Sequence, residues 1–272
     1  MDDVSAPCHS VSELLAQAVD DGSGLTLSLD QSWLQGRSWF GGMQMALAMK
    51  AARRYGESEA PIRSVHASFI APVLHGAPVR ATAHALRKGR SATQIRASLD
   101  QGEQRCFDCT AILGADRPSE MAHDARSATK SSPERALRFD YRPGVTPNFV
   151  QHYDMRWARG RPPFSGATDP TATIFARPIA EHVRYDESAF IALTDVIPPP
   201  ILSVMRTPAP ASSMNCALEL IAPQAVYGSR QWIRFETEVH DARYGYAWQS
   251  SRLYAEDGTL LAVAHQAVAV FS

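Results

Sequence analysis

The chain has 272 residues, 45% of them hydrophobic and 20% charged, with a net charge of −1. That length allows one large domain or two small ones, with apolar residues enough for a sizeable core. No basic excess is present to meet phosphates, which argues against nucleic acid as a partner.

The start, Met-Asp-Asp-Val-Ser-Ala-Pro-Cys, lacks a basic segment followed by an apolar one, so it does not read as a secretory signal. No apolar run approaches the roughly 20 residues that span a bilayer. A cytoplasmic protein with no membrane partner is expected. Leu25–Leu34 is a predicted first strand. A predicted helix follows over 42–55, opened by Gly41 and Gly42. Met43, Ala46 and Leu47 fall on one side of it, and Met45, Ala48 and Met49 on another. A helix apolar nearly all round should be buried. Glycines at its entry let another backbone, or a ligand carbonyl, approach the free N–H groups of its first turn.

Four predicted strands follow, near 63–70, 78–87, 92–100 and 104–113, with no second helix among them. Cys106 and Cys109 form a lone C-x-x-C in the last of these. Residues three apart in a strand face opposite ways, so the two are not expected to share a metal or a disulfide. Residues 116–147 are polar, rich in Ser, Ala, Arg, Asp and Pro, and read as a linker whose part 116–135 is expected to be poorly ordered or to lie on the surface. Strand candidates resume at His152–Arg159 and Ala172–Arg177. Asp186 is placed to cap a helix from Glu187 to Ile197, ended by Pro198-Pro199-Pro200. Strands then follow near 216–221, 231–240, 246–255 and 259–271. Asp257-Gly258 is a two-residue hairpin signal before the last of them.

The second half repeats the first. Gly89 and Gly245 lie 156 residues apart, as do Gly102 and Gly258. Ile70-Ala71-Pro72 recurs as Ile221-Ala222-Pro223, 151 residues on. A tandem duplication follows. Each half, a buried helix with an antiparallel sheet around it, is the hotdog arrangement, whose known uses centre on acyl thioesters. The predicted class is α+β, a tandem (double) hotdog, with halves at 1–115 and 148–272.

Polar groups that interrupt apolar elements are the candidates for chemistry. Asp195 lies among Phe190, Ile191, Leu193, Val196 and Ile197, where a carboxylate is costly unless it is hydrogen-bonded or faces a cavity. Gln266 interrupts the apolar run 260–271. Ser212, Ser213 and Asn215 precede the predicted strand at 216–221. The chain has no G-x-S-x-G elbow, no H-E-x-x-H, no P-loop and no G-x-G-x-x-G. Its histidines show no metal-ligand spacing, and His182-x-x-x-Asp186 is expected by chance at this length.

These residues carry a resemblance. Trp39-Phe40-Gly41-Gly42-Met43, then Ser64-Val-His-Ala-Ser-Phe69 with Pro72, then Leu86-Arg-Lys-Gly-Arg-Ser91 resemble the first half of the double-hotdog acyl-CoA thioesterases of the bacterial type II family. Leu193-Thr194-Asp195, the Ser213 region and Ala264-His265-Gln266 match the places where that family keeps an Asp, a Ser or Thr, and a Gln. The resemblance implies hydrolysis of acyl-CoA by a water that Asp195, Ser213 and Gln266 hold, with Asp195 as base. It implies substrate contacts from Gly41, Gly42 and Arg90, and no metal or cofactor. The chain departs from the pattern at Ser213, where Thr is common, and at Asn215 and Ala267, where acidic residues are common. Ser212 is the hydroxyl instead if the register is off by one. Gln44 is the only uncharged polar side chain within Met43–Met49, so one active site per chain is expected. A non-catalytic acyl-CoA-binding protein on the same fold is the alternative. An enoyl-thioester hydratase fits less well, because no His follows Asp195 before the prolines. Assembly of such double units into a homo-oligomer is a further expectation.

Overall fold

The computed structural model describes residues 10–56, 58–121, 123–127 and 131–271. The first half contains α1 (Val11–Ala16), β1 (Val19–Asp20), β2 (Leu25–Leu27), β3 (Leu34–Gln35), β4 (Ser38–Trp39), α2 (Gly41–Tyr55), β5 (Ile62–Phe69), β6 (Val79–Lys88), β7 (Ala92–Gln101) and β8 (Gln104–Gly114). The second contains β9 (Leu137–Phe139), β10 (Tyr153–Arg159), β11 (Thr171–Pro178), α3 (Glu187–Leu193), β12 (Ala211–Leu220), β13 (Ile233–Arg243), β14 (Tyr246–Tyr254) and β15 (Leu260–Val270).

All strands except the small β3–β4 hairpin belong to one sheet of 13, in the order β1-β2-β6-β7-β8-β5-β12-β15-β14-β13-β11-β10-β9. Every neighbouring pair is antiparallel. The order β2-β6-β7-β8-β5 reappears reversed as β12-β15-β14-β13-β11, so the halves are mirrored about the β5–β12 pair. There Val65 faces Leu218, His66 faces Ala217 and Ala67 faces Cys216. The chain is a double hotdog, as its residues predict. Gly102 and Gly258 occupy matching turns with φ of +61° and +86°, the left-handed region that glycine enters most easily.

Helix α2 is buried along almost its whole length, which its all-round apolar surface requires. The sheet covers one side of it and α3 the other. The two helices run antiparallel: Arg53, near the end of α2, donates two hydrogen bonds of 2.7 and 2.5 Å to Glu187 in the first turn of α3. Asp186 caps that turn, its side chain accepting from Ala189 N at 2.8 Å.

Three elements differ from their sequence expectations. Only Leu25–Leu27 of the predicted strand 25–34 is strand. Asp30 accepts from Ser32 N at 2.7 Å and starts a short 3-10 turn at Gln31–Trp33 instead. The second helix ends at Leu193 rather than Ile197, because Thr194 turns its hydroxyl back onto Ile191 O at 2.8 Å and three prolines follow closely. The strand expected near 216–221 begins at Ala211, so Ser212, Ser213 and Asn215 lie within it rather than before it. Within 116–147 the described residues are mostly exposed up to 127, and Leu137–Phe139 joins the sheet as β9 against β10.

Since β5 and β12 tie the halves together, a protease cut between residues 116 and 127 should leave both fragments eluting together on a size-exclusion column. Separation of the fragments after such a cut would contradict a shared sheet as the main link.

Candidate active site

Asp195 follows α3 by two residues, at the place where α3 meets the start of α2. The contact is a close one. A Cβ on Gly42 would collide with Ala192 O, and a Cβ on Gly41 would stand 2.5 Å from Asp195 Oδ2. Only glycines permit this approach, and the backbone that comes close is the protein's own. Phe69 closes the same corner, with a ring atom 3.0 Å from where a Gly41 Cβ would be.

The carboxylate of Asp195 has two recorded partners, both neutral. Gln266 Nε2 donates to Oδ1 at 2.8 Å, and the Gly42 N–H donates from the first turn of α2. Burial raises its pKa, and both donors act in the opposite direction. Burial wins, and the group is pushed up to about 7. The residue as a whole is half-buried. No charged side chain contributes to the shift.

Gln266 is itself held from behind. Gln249, its direct neighbour across β14–β15, donates from Nε2 to Gln266 Oε1 at 2.8 Å. Sequence reasoning missed Gln249. The signal for it was a glutamine in phase with Ala247 and Leu253, both inward and buried.

Ser213 is aimed by a bulge in β12. Its partner in β15 is Val268, while Asn215 already pairs with Ala267 and Cys216 with Gln266. The extra residue, Met214, puts Ser213 and Cys216 on one face although they are three apart. That inner face also carries Gln266 and Val268. Asn215 Oδ1 accepts from Ala267 N at 2.8 Å beside the bulge. Ser212 is exposed and its hydroxyl turns to the Ser213 carbonyl at 3.3 Å. Ser213 thus faces the site two strand positions from Gln266, with no direct hydrogen bond recorded to Asp195 or Gln266. Cys216 stays a thiol, pushed up by burial and then by the nearby Asp195 charge.

The mirrored place in the first half has lost these groups. A matching bulge separates Ile62, paired with Leu113, from Ser64. Ile62 therefore stands where Ser213 stands. Ala111, two residues before Leu113, stands where Gln266 does, and its β7 partner is Ile95 where Gln249 should be. Ile62, Ala111 and Ile95 are all buried apolar residues. Gln44 uses its amide N–H on Trp39 O at 2.9 Å. Arg90 is exposed in the β6–β7 turn, at the Ile62 end of β5, roughly 20 Å along that strand from Phe69 and the Asp195 corner. The structure does not bring it to the carboxylate. Two hollows on the protein, one beside Arg138–Tyr141 and one beside Ser131–Glu134, contain none of these residues. Cys106 and Cys109 are free and buried, and among the described residues no group of His, Cys, Asp and Glu is placed to hold a metal. No helix among them is long and apolar enough to cross a membrane.

Two family models match the chain: an acyl-CoA thioesterase N-terminal domain over residues 29–114, and an acyl-CoA thioesterase C-terminal domain over residues 127–270. Among solved structures, a hotdog-fold protein of unknown function from Alicyclobacillus acidocaldarius is 23% identical, with a TM-score of 0.86, over 97% of this chain and 98% of that one. The tesB protein of Mycobacterium avium subspecies paratuberculosis is 15% identical, with a TM-score of 0.78, over 96% and 98%. An acyl-CoA thioesterase II from Mycobacterium marinum is 16% identical, with a TM-score of 0.75, over 96% and 98%. At these identities the structural likeness is one of fold. No curated protein matches the sequence.

The contact of Gly42 with Ala192 O yields a stability prediction. Gly42→Ala adds one methyl group in the wrong place and should destabilise the protein by about 1–3 kcal/mol, the range for overpacking. Denaturant unfolding measures it. A change within about 0.5 kcal/mol would mean that the helices do not meet as closely as described.

Proposed function

The chain belongs to the acyl-CoA thioesterase family, and from that premise we propose that it hydrolyses acyl-CoA to the free acid and CoA with one water held by Asp195, Gln266 and Ser213. The observation that carries this reading is the setting of Asp195: a desolvated carboxylate with neutral donors on it and its pKa pushed up to about 7. Such a group is a stronger base than a solvated aspartate and still has its proton-free form near neutral pH. Asp195 takes a proton from the water as its oxygen bonds to the thioester carbonyl carbon. The carbon–sulfur bond then breaks, and the proton passes to the departing CoA thiolate. Gln266 orients the base, and the Ser213 hydroxyl faces the same space from β12.

The developing oxyanion needs donors near this water. Gly42 N–H is engaged by Asp195, which leaves Gly41 N–H, with no acceptor in its own helix, as the backbone donor at this corner. Arg90 enters the reading as a charge for the phosphates at the far end of an extended CoA. A covalent acyl-enzyme is not required. The inner-face thiol, Cys216, is held protonated by burial and by Asp195.

Thiol release from a panel of acyl-CoAs tests the activity. Asp195→Asn keeps shape and removes the proton acceptor, so turnover should fall by about 10²–10⁴, with substrate affinity little changed. Gln266→Ala should cost less, and Ser213→Ala less again. An Asp195→Asn protein that keeps more than about a tenth of wild-type turnover would remove Asp195 from the role of base.

The pH dependence has a fixed sign. Log kcat/KM should rise with pH and level off above about 7, where Asp195 is ionised. Stability moves the other way. The folded-state pKa lies above the ordinary value of 3.8, so the contribution of Asp195 is full below about pH 4 and is lost as pH rises through about 7. Thermal melts from pH 4 to 8 should show Asp195→Asn gaining on wild type across that window. A constant difference between the two would contradict a raised pKa.

A further inference from the structure

We infer that Gln249 is a positioning residue: it fixes which way the Gln266 amide points, and so keeps that amide's N–H on the Asp195 carboxylate. This rests on the role of Asp195 given above.

The argument begins with direction. A carboxylate accepts hydrogen bonds and cannot donate them. Gln266 must therefore turn its NH₂ group to Asp195, as it does at 2.8 Å. Its carbonyl oxygen then faces away, toward β14, and that oxygen needs a donor. Gln249 supplies one at 2.8 Å. If Gln249 were absent, the Gln266 amide would be free to flip. A flipped amide puts its oxygen against Asp195, where it favours the protonated acid and opposes the base.

Gln249 does not have the look of a residue kept for folding. It is buried at 3% exposure. Among the described residues no donor reaches its own Oε1. A buried carbonyl left without a partner costs stability, so a side chain selected for packing alone would be apolar here. The first half provides that comparison within the same molecule. Where Ala111 replaces Gln266, Ile95 replaces Gln249. The two amides are present together in one half and absent together in the other.

The groups that meet Asp195 from each packed element are few. From α2 it meets the Gly42 N–H, from β15 the Gln266 amide, and from β12 the Cys216 thiol. None of them is charged at neutral pH. A change in the titration of Asp195 on altering Gln249 therefore has one route, through Gln266.

The test uses the full chain with Gln249→Met, which keeps the length and removes the donor. Gln249→Leu is the second variant in case the first fails to fold. The first readout does not need turnover: the Asp195 carboxyl carbon is followed by NMR through a pH titration. Its midpoint should move upward by roughly half a unit or more in the variant, because the hydrogen bond that favours the ionised form is no longer enforced. The second readout is the pH profile of kcat/KM, whose acidic limb should move upward by the same amount. Gln249→Met placed in a Gln266→Ala background should move the midpoint no further. A folded Gln249 variant whose Asp195 midpoint matches wild type would overturn the inference, as would a further shift in the Gln266→Ala background. If wild type releases no thiol from any acyl-CoA while the midpoint still moves, the relay stands and the hydrolase reading fails.

Discussion

One contact sets the terms for the rest of this molecule: the first turn of α2 lies directly against the last turn of α3. Backbone meets backbone there, with Gly42 on the Ala192 carbonyl and Gly41 on the Asp195 carboxylate. Two consequences follow from that closeness. Burial at this junction raises the pKa of the Asp195 carboxyl. The carboxyl also receives an N–H at the positive end of a 15-residue helix, which lowers it. The first effect is the larger. The same junction that packs the core therefore gives Asp195 a carboxyl whose pKa is pushed up to about 7, as the role proposed for it requires.

The two halves divide the parts of the candidate site between them. The first half brings the glycine turn of α2 and the Phe69 ring. The second brings Asp195, Gln266, Ser213 and Gln249. Neither half has all of them, and the β5–β12 pairing holds the two sets in register. Both halves keep the strand bulge, between Ile62 and Ser64 in one and between Ser213 and Asn215 in the other. The bulge is a property of the fold. The hydroxyl it aims inward is present on one side only, and on the other the same position is filled by an isoleucine of the core.

Much of this could be read from the residues, for physical reasons that also explain the failures. Helix α2 was legible because an apolar surface on every side has one explanation, burial. The hairpins were legible because left-handed turns select glycine at Gly102 and Gly258. Asp195 and Gln266 stood out because a polar group inside an apolar run is costly without a partner. The true start of β12 was hidden. Ala-Ser-Ser-Met-Asn has no clean alternation, since the bulge breaks its phase. The end of α3 at Leu193 was hidden as well, because Ile197 continues the apolar pattern after the backbone has already turned. Gln249 was hidden because Ser250 and Ser251 beside it are polar as well, so no single polar group interrupts an apolar run there, although all three are buried.

The neutral partners around Asp195 suit the base proposed for it. This chain pairs carboxylates with arginine freely: Arg53 with Glu187, Arg80 with Asp21, Arg96 with Asp108, Arg105 with Asp100. Where such a pair shifts its acid, as Arg80 does at Asp21, the carboxyl is held well below the usual carboxylate range, and an ionised acid with a strong counter-charge holds a proton poorly. An arginine beside Asp195 would cancel the effect of burial and leave a weak base. A second carboxylate would raise the pKa further and leave too little of the ionised form. Amide and peptide donors lie between these limits: they orient the carboxylate and lower its pKa only partly, so the balance stays near neutrality. An amide has one weakness as a partner, because it can rotate and present its oxygen instead. A second amide behind the first removes that freedom without adding charge, which is the arrangement that β14 and β15 provide.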